Sequence, residues 1–169
     1  MNNSVVANIL RFIILVVVQV LLLDQINLLG FIKPYIYLLF IVLYPVRNNR
    51  TLFLLVAFGL GLVIDVFSDT GGAHAAACMT LAFLRPYLFK LVYGEAYKLN
   101  EVNVMRGEIN RMILLLVLCT GLHHLLLFVF ILFDFSHSFL FLKLWSLNGL
   151  ATFLLGLVVL IIFKPKERL

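Results

Sequence analysis

Residues 57–74 read Ala57-Phe58-Gly59-Leu60-Gly61-Leu62-Val63-Ile64-Asp65-Val66-Phe67-Ser68-Asp69-Thr70-Gly71-Gly72-Ala73-His74. They close one long apolar stretch, turn at Asp69 to Gly72, and open another. Ala57, Gly61 and Asp65 recur every four residues and so share a helix face. Two small residues on that face admit a second backbone closely, and Asp65 points toward the same neighbour. Beyond the turn Ala73, Ala77 and Leu81 repeat the spacing, with Ala76 beside them. The pattern predicts two antiparallel helices packed along a seam of small residues.

The seam ends in a carboxylate near membrane depth, where a charge is costly and faces protein or water. A structural role for Asp65 is the preferred reading over transport or proton relay. It can cap the free amides around residues 69–73, while Asp69 or Thr70 can serve as N-cap of the following helix. Gly71 and Gly72 permit the backbone of the turn.

Outward from this hairpin the chain is apolar nearly throughout. Of its 169 residues 64% are apolar and 12% charged, with a mean hydropathy of +1.13. Soluble domains hold about 45–50% apolar and about 25% charged residues, so lipid is the implied solvent. Apolar stretches fall at 5–23, 29–46, 51–67, 73–93, 112–133 and 139–163. Each exceeds the ~10 residues of a barrel strand, and a backbone in hydrocarbon must satisfy its own amides, so helices are expected. The expectation is an all-α polytopic bundle of about six transmembrane helices in one integral membrane domain, 1–169.

Two of these stretches are weaker. Lys33 and Pro34 open the second, and Arg85 with Pro86 interrupts the fourth. Stopping the fourth at Leu84 would leave about 18 Å of helix, short of the ~30 Å of hydrocarbon, so it is expected to continue through Tyr93 with a kink at Pro86. Arg85 then reads as a snorkelling side chain in preference to a functional ion pair. Arg11 followed by the apolar run 12–18 resembles a signal peptide. No small-x-small site follows Leu23, so a retained first helix is expected.

Alternating the stretches across a membrane puts Arg11, Arg47, Arg50, Lys90, Lys98, Arg106, Arg111, Lys164, Lys166 and Arg168 on one side, with Lys33 and Lys143 near the other. Basic residues stay in the cytoplasm, so both termini are expected there. Asp24, Asp65, Asp69 and Asp134 lie toward the opposite face. The net charge of +5 is thereby a topology and lipid-headgroup signal, and nucleic acid is not an expected partner. In the connection 94–111, Leu99, Val102 and Met105 recur at three-residue spacing among charges, permitting a short amphipathic interfacial helix that a partner could dock on.

Cys78 and Cys119 lack CxxC spacing and read as packing residues. His123 and His124 are adjacent on a helix, so their side chains diverge by about 100 degrees and suit interhelical hydrogen bonds better than one metal; His74 and His137 lie near the outer face. Gln19 and Asn148 can bridge helices, while Tyr35, Tyr37, Tyr44, Tyr87, Tyr93 and Trp145 include candidate interface anchors. No phosphate loop, nucleophile elbow, paired catalytic carboxylates or cofactor fingerprint is present, so no catalytic, cofactor or metal site is predicted.

The run GLGLVIDVFSDTGGAHAA at 59–76 resembles the signature region of the rod shape-determining protein MreD family. Length, the opening near Pro34, LYPVRNNR at 43–50 and the tail KPKERL at 164–169 look like that family as well. The resemblance implies a non-enzymatic component of the bacterial elongation machinery in the inner membrane. By that resemblance it would work with MreC directly, and with MreB, RodA and a penicillin-binding transpeptidase in the same complex. It carries Gly61, Asp65 and Gly72 over as packing and turn elements. The competing reading is the substrate-binding membrane component of a vitamin-type transporter, whose thin polar lining would be Asp65, Asp69, His74, His123 and Asn148 around a pocket in the outer half.

Overall fold

A computed structural model describes residues 3–26, 30–46, 49–98, 102–132 and 138–165. Arg47, Leu99, Asp134, His137, Lys166 and Arg168 lie outside the described residues. The described residues are mainly helical, with no strand among them. In order it forms α1 (Asn3–Val18), widening into a π-helical turn at Gln19–Leu23, then α2 (Leu38–Leu43) and α3 (Arg50–Ser68). There follow α4 (Ala73–Tyr93), the single turn α5 (Glu95–Lys98), α6 (Ile109–Leu132) and α7 (Ser138–Ile162).

Five helices are long and apolar enough to cross a membrane: Val5–Leu23, Arg50–Ser68, Ala73–Tyr93, Ile109–Leu132 and Ser138–Ile162. Each falls within a few residues of an expected span. Their outward sides carry exposed Ile13, Leu55, Phe83, Val117 and Leu154, as a surface facing hydrocarbon would. α4 runs unbroken through Pro86.

The expected second span, 29–46, is the exception. Its only helix is the six-residue α2, about 9 Å long and far short of the hydrocarbon thickness. Pro34 has no amide proton and cannot sit inside a helix without removing a bond, so the stretch before α2 is irregular. It is also buried: Tyr35 to Val42 are all nearly inaccessible. The segment runs antiparallel to α1 through the middle of the bundle, with Pro34 and Ile36 beside Gln19 and Leu43 beside Arg11. Non-helical backbone at such depth is tolerated only where protein encloses it.

Around this segment α3 packs on α4, α4 on α6 and α6 on α7, while α1 packs on α2 and α3. The side chain of Asn49 starts α3 by accepting from Thr51 N at 2.9 Å and Leu52 N at 3.4 Å. Asp69 ends it in the left-handed region at φ 52°. Gly71 and Gly72 follow at φ 60° and 98°, where a side chain would clash with its own backbone. This tight turn sets α3 and α4 side by side. In the connection after α4, Asn103 O accepts from Arg106 N at 3.1 Å and Gly107 N at 2.9 Å. Among the described residues of that connection, 102–107 thus form a turn, with Val102 and Met105 resting against the core, while 99–101 lie outside the described residues.

Candidate functional site

The polar side chains inside the bundle form three linked groups. The first is the seam. A Cβ built on Gly61 would lie 2.5 Å from Ala75 Cα and 2.6 Å from Ala75 N, and against the His74 carbonyl oxygen. No atom larger than hydrogen fits, so α3 and the first turn of α4 touch backbone to backbone. Asp65, one turn on, then reaches three donors: Thr70 Oγ1 at 2.5 Å, His74 N at 2.9 Å and Ala75 N at 2.8 Å. The last two are amides that the start of an α-helix leaves unpaired. The cap of α4 is thus supplied from α3. Gly72 occupies the N-cap position and Asp69 is the C-cap of α3, so neither Asp69 nor Thr70 is the N-cap of α4; Thr70 donates to the carboxylate that caps it. Ala57, Gly61, Asp65, Ala73 and Ala77 are buried within the chain's own hairpin, whereas Asp69 and Gly71 are exposed.

The second group holds the irregular segment. Gln19 Oε1 accepts from Ile36 N at 2.8 Å, and Gln19 Nε2 donates to Pro34 O at 3.2 Å and to Asp24 Oδ1 at 2.7 Å. Asn148 Oδ1 accepts from Lys33 N at 2.7 Å, and its Nδ2 donates to Phe31 O at 3.3 Å. Thr152 Oγ1 accepts from Tyr35 N at 2.9 Å. Gln19 and Asn148 therefore bind the backbone of the segment instead of bridging two helices. At the far end of the segment Arg11 Nη1 donates to Leu43 O at 3.3 Å. Arg85 Nη2 donates to Val42 O at 3.2 Å and to Tyr44 O. These carbonyls are ones the end of α2 leaves free. Arg85 lies 4.1 Å from the ring centroid of Phe89 and 5.1 Å from that of Phe53. It neither snorkels nor makes an ion pair among the described residues. It caps a buried helix while aromatic faces sheath its charge.

The third group is a histidine and tyrosine cluster. Tyr37 Oη lies 2.6 Å from His74 Nδ1 and 3.1 Å from His123 Nε2. A hydroxyl has one proton, so one of these imidazoles receives it and the other donates to the oxygen. Cys78 Sγ stands 3.8 Å from His123 Nε2. His123 Nδ1 is buried and finds no hydrogen-bond partner among the described residues. His124 has a defined tautomer. Its Nδ1 faces Thr120 O at 2.9 Å and must donate, leaving Nε2 to accept from Thr152 Oγ1 at 3.0 Å. The relay Tyr35 N to Thr152 to His124 to Thr120 O uses each proton once.

Tyr37, read from sequence as a candidate interface anchor, is wholly buried, and Tyr35, Tyr44 and Tyr93 are buried too; Tyr87 is exposed on the outward side of α4. Thr152 was not singled out by any pattern. Its only sequence signal is a position four residues after Asn148, on the same face of α7. Among the described residues no group of three or more His, Cys, Asp or Glu side chains is placed to hold a metal ion.

Chemically, the interior is a set of latches: Asp65, Gln19, Asn148, Thr152 and Arg85 each bind backbone of a neighbouring element, and Tyr37 joins His74 to His123, while His123 Nδ1 is left without a partner among the described residues. Compared with protein-family models, curated proteins and solved structures, the chain matches none.

Proposed function

We propose that this protein is a non-enzymatic membrane scaffold of the MreD type, in the bacterial inner membrane, acting on cell shape and peptidoglycan synthesis through helix contacts with MreC and the wall synthases. One observation carries the choice between scaffold and transporter. Four of the five residues that would line a vitamin pocket are engaged in holding the bundle: Asp65 caps α4, Asn148 grips the irregular segment, and His74 and His123 bind Tyr37. The fifth, Asp69, is exposed at the turn. A rigid, internally latched bundle offers constant outer surfaces for other helices to pack on. The resemblance of residues 59–76 supplies the identity of those partners.

Counting the buried segment as a sixth crossing puts both ends of the chain on one side. Ala7 of α1 and Pro165 after α7 line the same cavity, in keeping with that count. Arg11 and Arg106 are at that end and Asp24 and Ser68 at the other, the asymmetry of a protein whose basic end is cytoplasmic. With the seam buried inside the hairpin, MreC would dock on the outward sides of the long helices.

Complementation tests the reading. In a rod-shaped bacterium depleted of its own MreD, expression of this chain should restore rod shape and recover MreC in a detergent pull-down. Cells that stay round at normal expression, with no MreC recovered, would refute it; vitamin uptake gained on expression would favour the transporter.

A further inference from the structure

At the end of the bundle where α1 begins, the chain encloses a half-open cavity of about 560 Å³. Its polar wall is Asn8, Arg11, Asn103 and Arg106, with Tyr44 and Pro165 beside them. Arg11 spends Nη1 on Asn8 Oδ1 at 3.2 Å and on Leu43 O at 3.3 Å. A guanidinium has five N–H donors, so donors beyond these two bonds remain for a ligand of the cavity that Arg11 lines. Among the described residues neither Arg11 nor Arg106 meets a carboxylate; the ion pair at this end joins Arg111 to Glu108 at 3.0 Å. Two arginines that meet no carboxylate among the described residues thus line one cavity from different parts of the chain, α1 and the loop before α6.

A second, apolar groove of about 240 Å³ lies between α1 and α3. It is lined by Val5, Ile9, Phe12, Phe40, Leu52 and Val56, and shares Asn8 and Tyr44 with the arginine cavity. Charge and oil therefore adjoin: a cationic chamber lies at the end of the bundle where α1 begins, and the apolar groove between α1 and α3 borders it at Asn8 and Tyr44. Free phosphate would satisfy the first and leave the second unexplained. A detached acyl chain would do the reverse.

We propose that the two cavities form one binding site for an anionic glycerophospholipid, its phosphodiester between Arg11 and Arg106 and one acyl chain in the groove between α1 and α3. Guanidinium forks suit phosphate oxygens bidentately, and basic pockets between transmembrane helices are established headgroup sites. The site holds whether or not the scaffold reading does, since it needs only a membrane. A bound lipid would join α1, which packs on α2 and α3, to the loop before α6.

The experiment uses the full chain, purified and stripped of lipid in detergent, with lipid binding read by native mass spectrometry. Dioleoyl phosphatidylglycerol should bind about 25-fold more tightly than dioleoyl phosphatidylcholine, at about fivefold per arginine. Arg106→Gln should cost about fivefold for the anionic lipid and little for the zwitterionic one. Arg11→Gln should do the same. Because Arg11 also holds Leu43 O, Arg106→Gln is the decisive variant if Arg11→Gln fails to fold. Arg111→Gln, outside the chamber, should leave the preference unchanged. Leu52→Trp, filling the groove, should weaken both lipids. Equal binding of the two lipids, or an unchanged preference in Arg106→Gln, overturns the site. Complete competition by millimolar inorganic phosphate, with Leu52→Trp silent, would mark a free-anion site and overturn the lipid.

Discussion

Adding one methyl group at Gly61 should separate the two halves of the α3–α4 hairpin. In Gly61→Ala the new Cβ would lie 2.5 Å from Ala75 Cα, whereas carbon atoms at rest sit about 3.5–4.0 Å apart. The obstacle is backbone and cannot swing aside, so the helices must part by about 1 Å. That displacement acts on Asp65 as well, whose bonds to His74 N and Ala75 N are now 2.9 and 2.8 Å. Lengthened by ~1 Å they would exceed hydrogen-bonding distance. Overpacking costs about 1–3 kcal/mol, and loss of a charge-assisted cap about 1.5–3 kcal/mol. Partial relief by sliding would keep the sum near 2–4 kcal/mol. The assay is reversible unfolding in mixed micelles of detergent and SDS, with Gly59→Ala as the internal standard. Gly59 lies on the same helix, and a Cβ there meets nothing within 4 Å, so its substitution should be neutral or stabilising by helix propensity. If Gly61→Ala falls within about 0.5 kcal/mol of Gly59→Ala, beyond which context effects take over, the close approach of α3 and α4 is wrong.

Three other changes probe the latches. Thr152→Val removes the acceptor for Tyr35 N and the donor to His124 Nε2; at ~0.6 kcal/mol for an average bond inside a membrane and more for stranded groups, a loss of about 1–2 kcal/mol is expected in the same unfolding assay, with Thr152→Ser near wild type. Gln19→Leu strands Ile36 N and Pro34 O, so hydrogen exchange measured by mass spectrometry should quicken across residues 30–37 and leave α6 protected; unchanged exchange there would show that Gln19 does not hold the segment. Arg85→Met keeps the bulk between Phe53 and Phe89 but loses the bonds to Val42 and Tyr44 carbonyls. It should destabilise by about 1–3 kcal/mol, while stability equal to wild type would return Arg85 to a surface role.

Much of this architecture was legible in the chain. The five long helices follow from apolar length, because hydrocarbon forces each such run to satisfy its own amides. The seam followed from spacing, since residues four apart share a face whatever lies opposite. Asp65 read as a capping group, yet the amides it serves, His74 and Ala75, lie beyond the turn to which capping was assigned. Local pattern names the acceptor; only the pitch of the turn names its donors. Arg85 was misread because hydropathy treats an arginine in an apolar run as a charge seeking water. Free carbonyls at the end of a neighbouring short helix satisfy it equally well.

The segment at 30–46 marks the boundary between what the chain states and what the fold decides. Composition makes it apolar enough to cross, and Pro34 warns that it will not do so as one helix. Its irregular backbone survives because Gln19, Asn148 and Thr152 meet its amides and carbonyls, the latter two from more than a hundred residues away. Helical hydrogen bonds close over four residues and are therefore written locally in sequence. A backbone whose partners are side chains on other helices has no local pattern, and it exists only once those helices have packed.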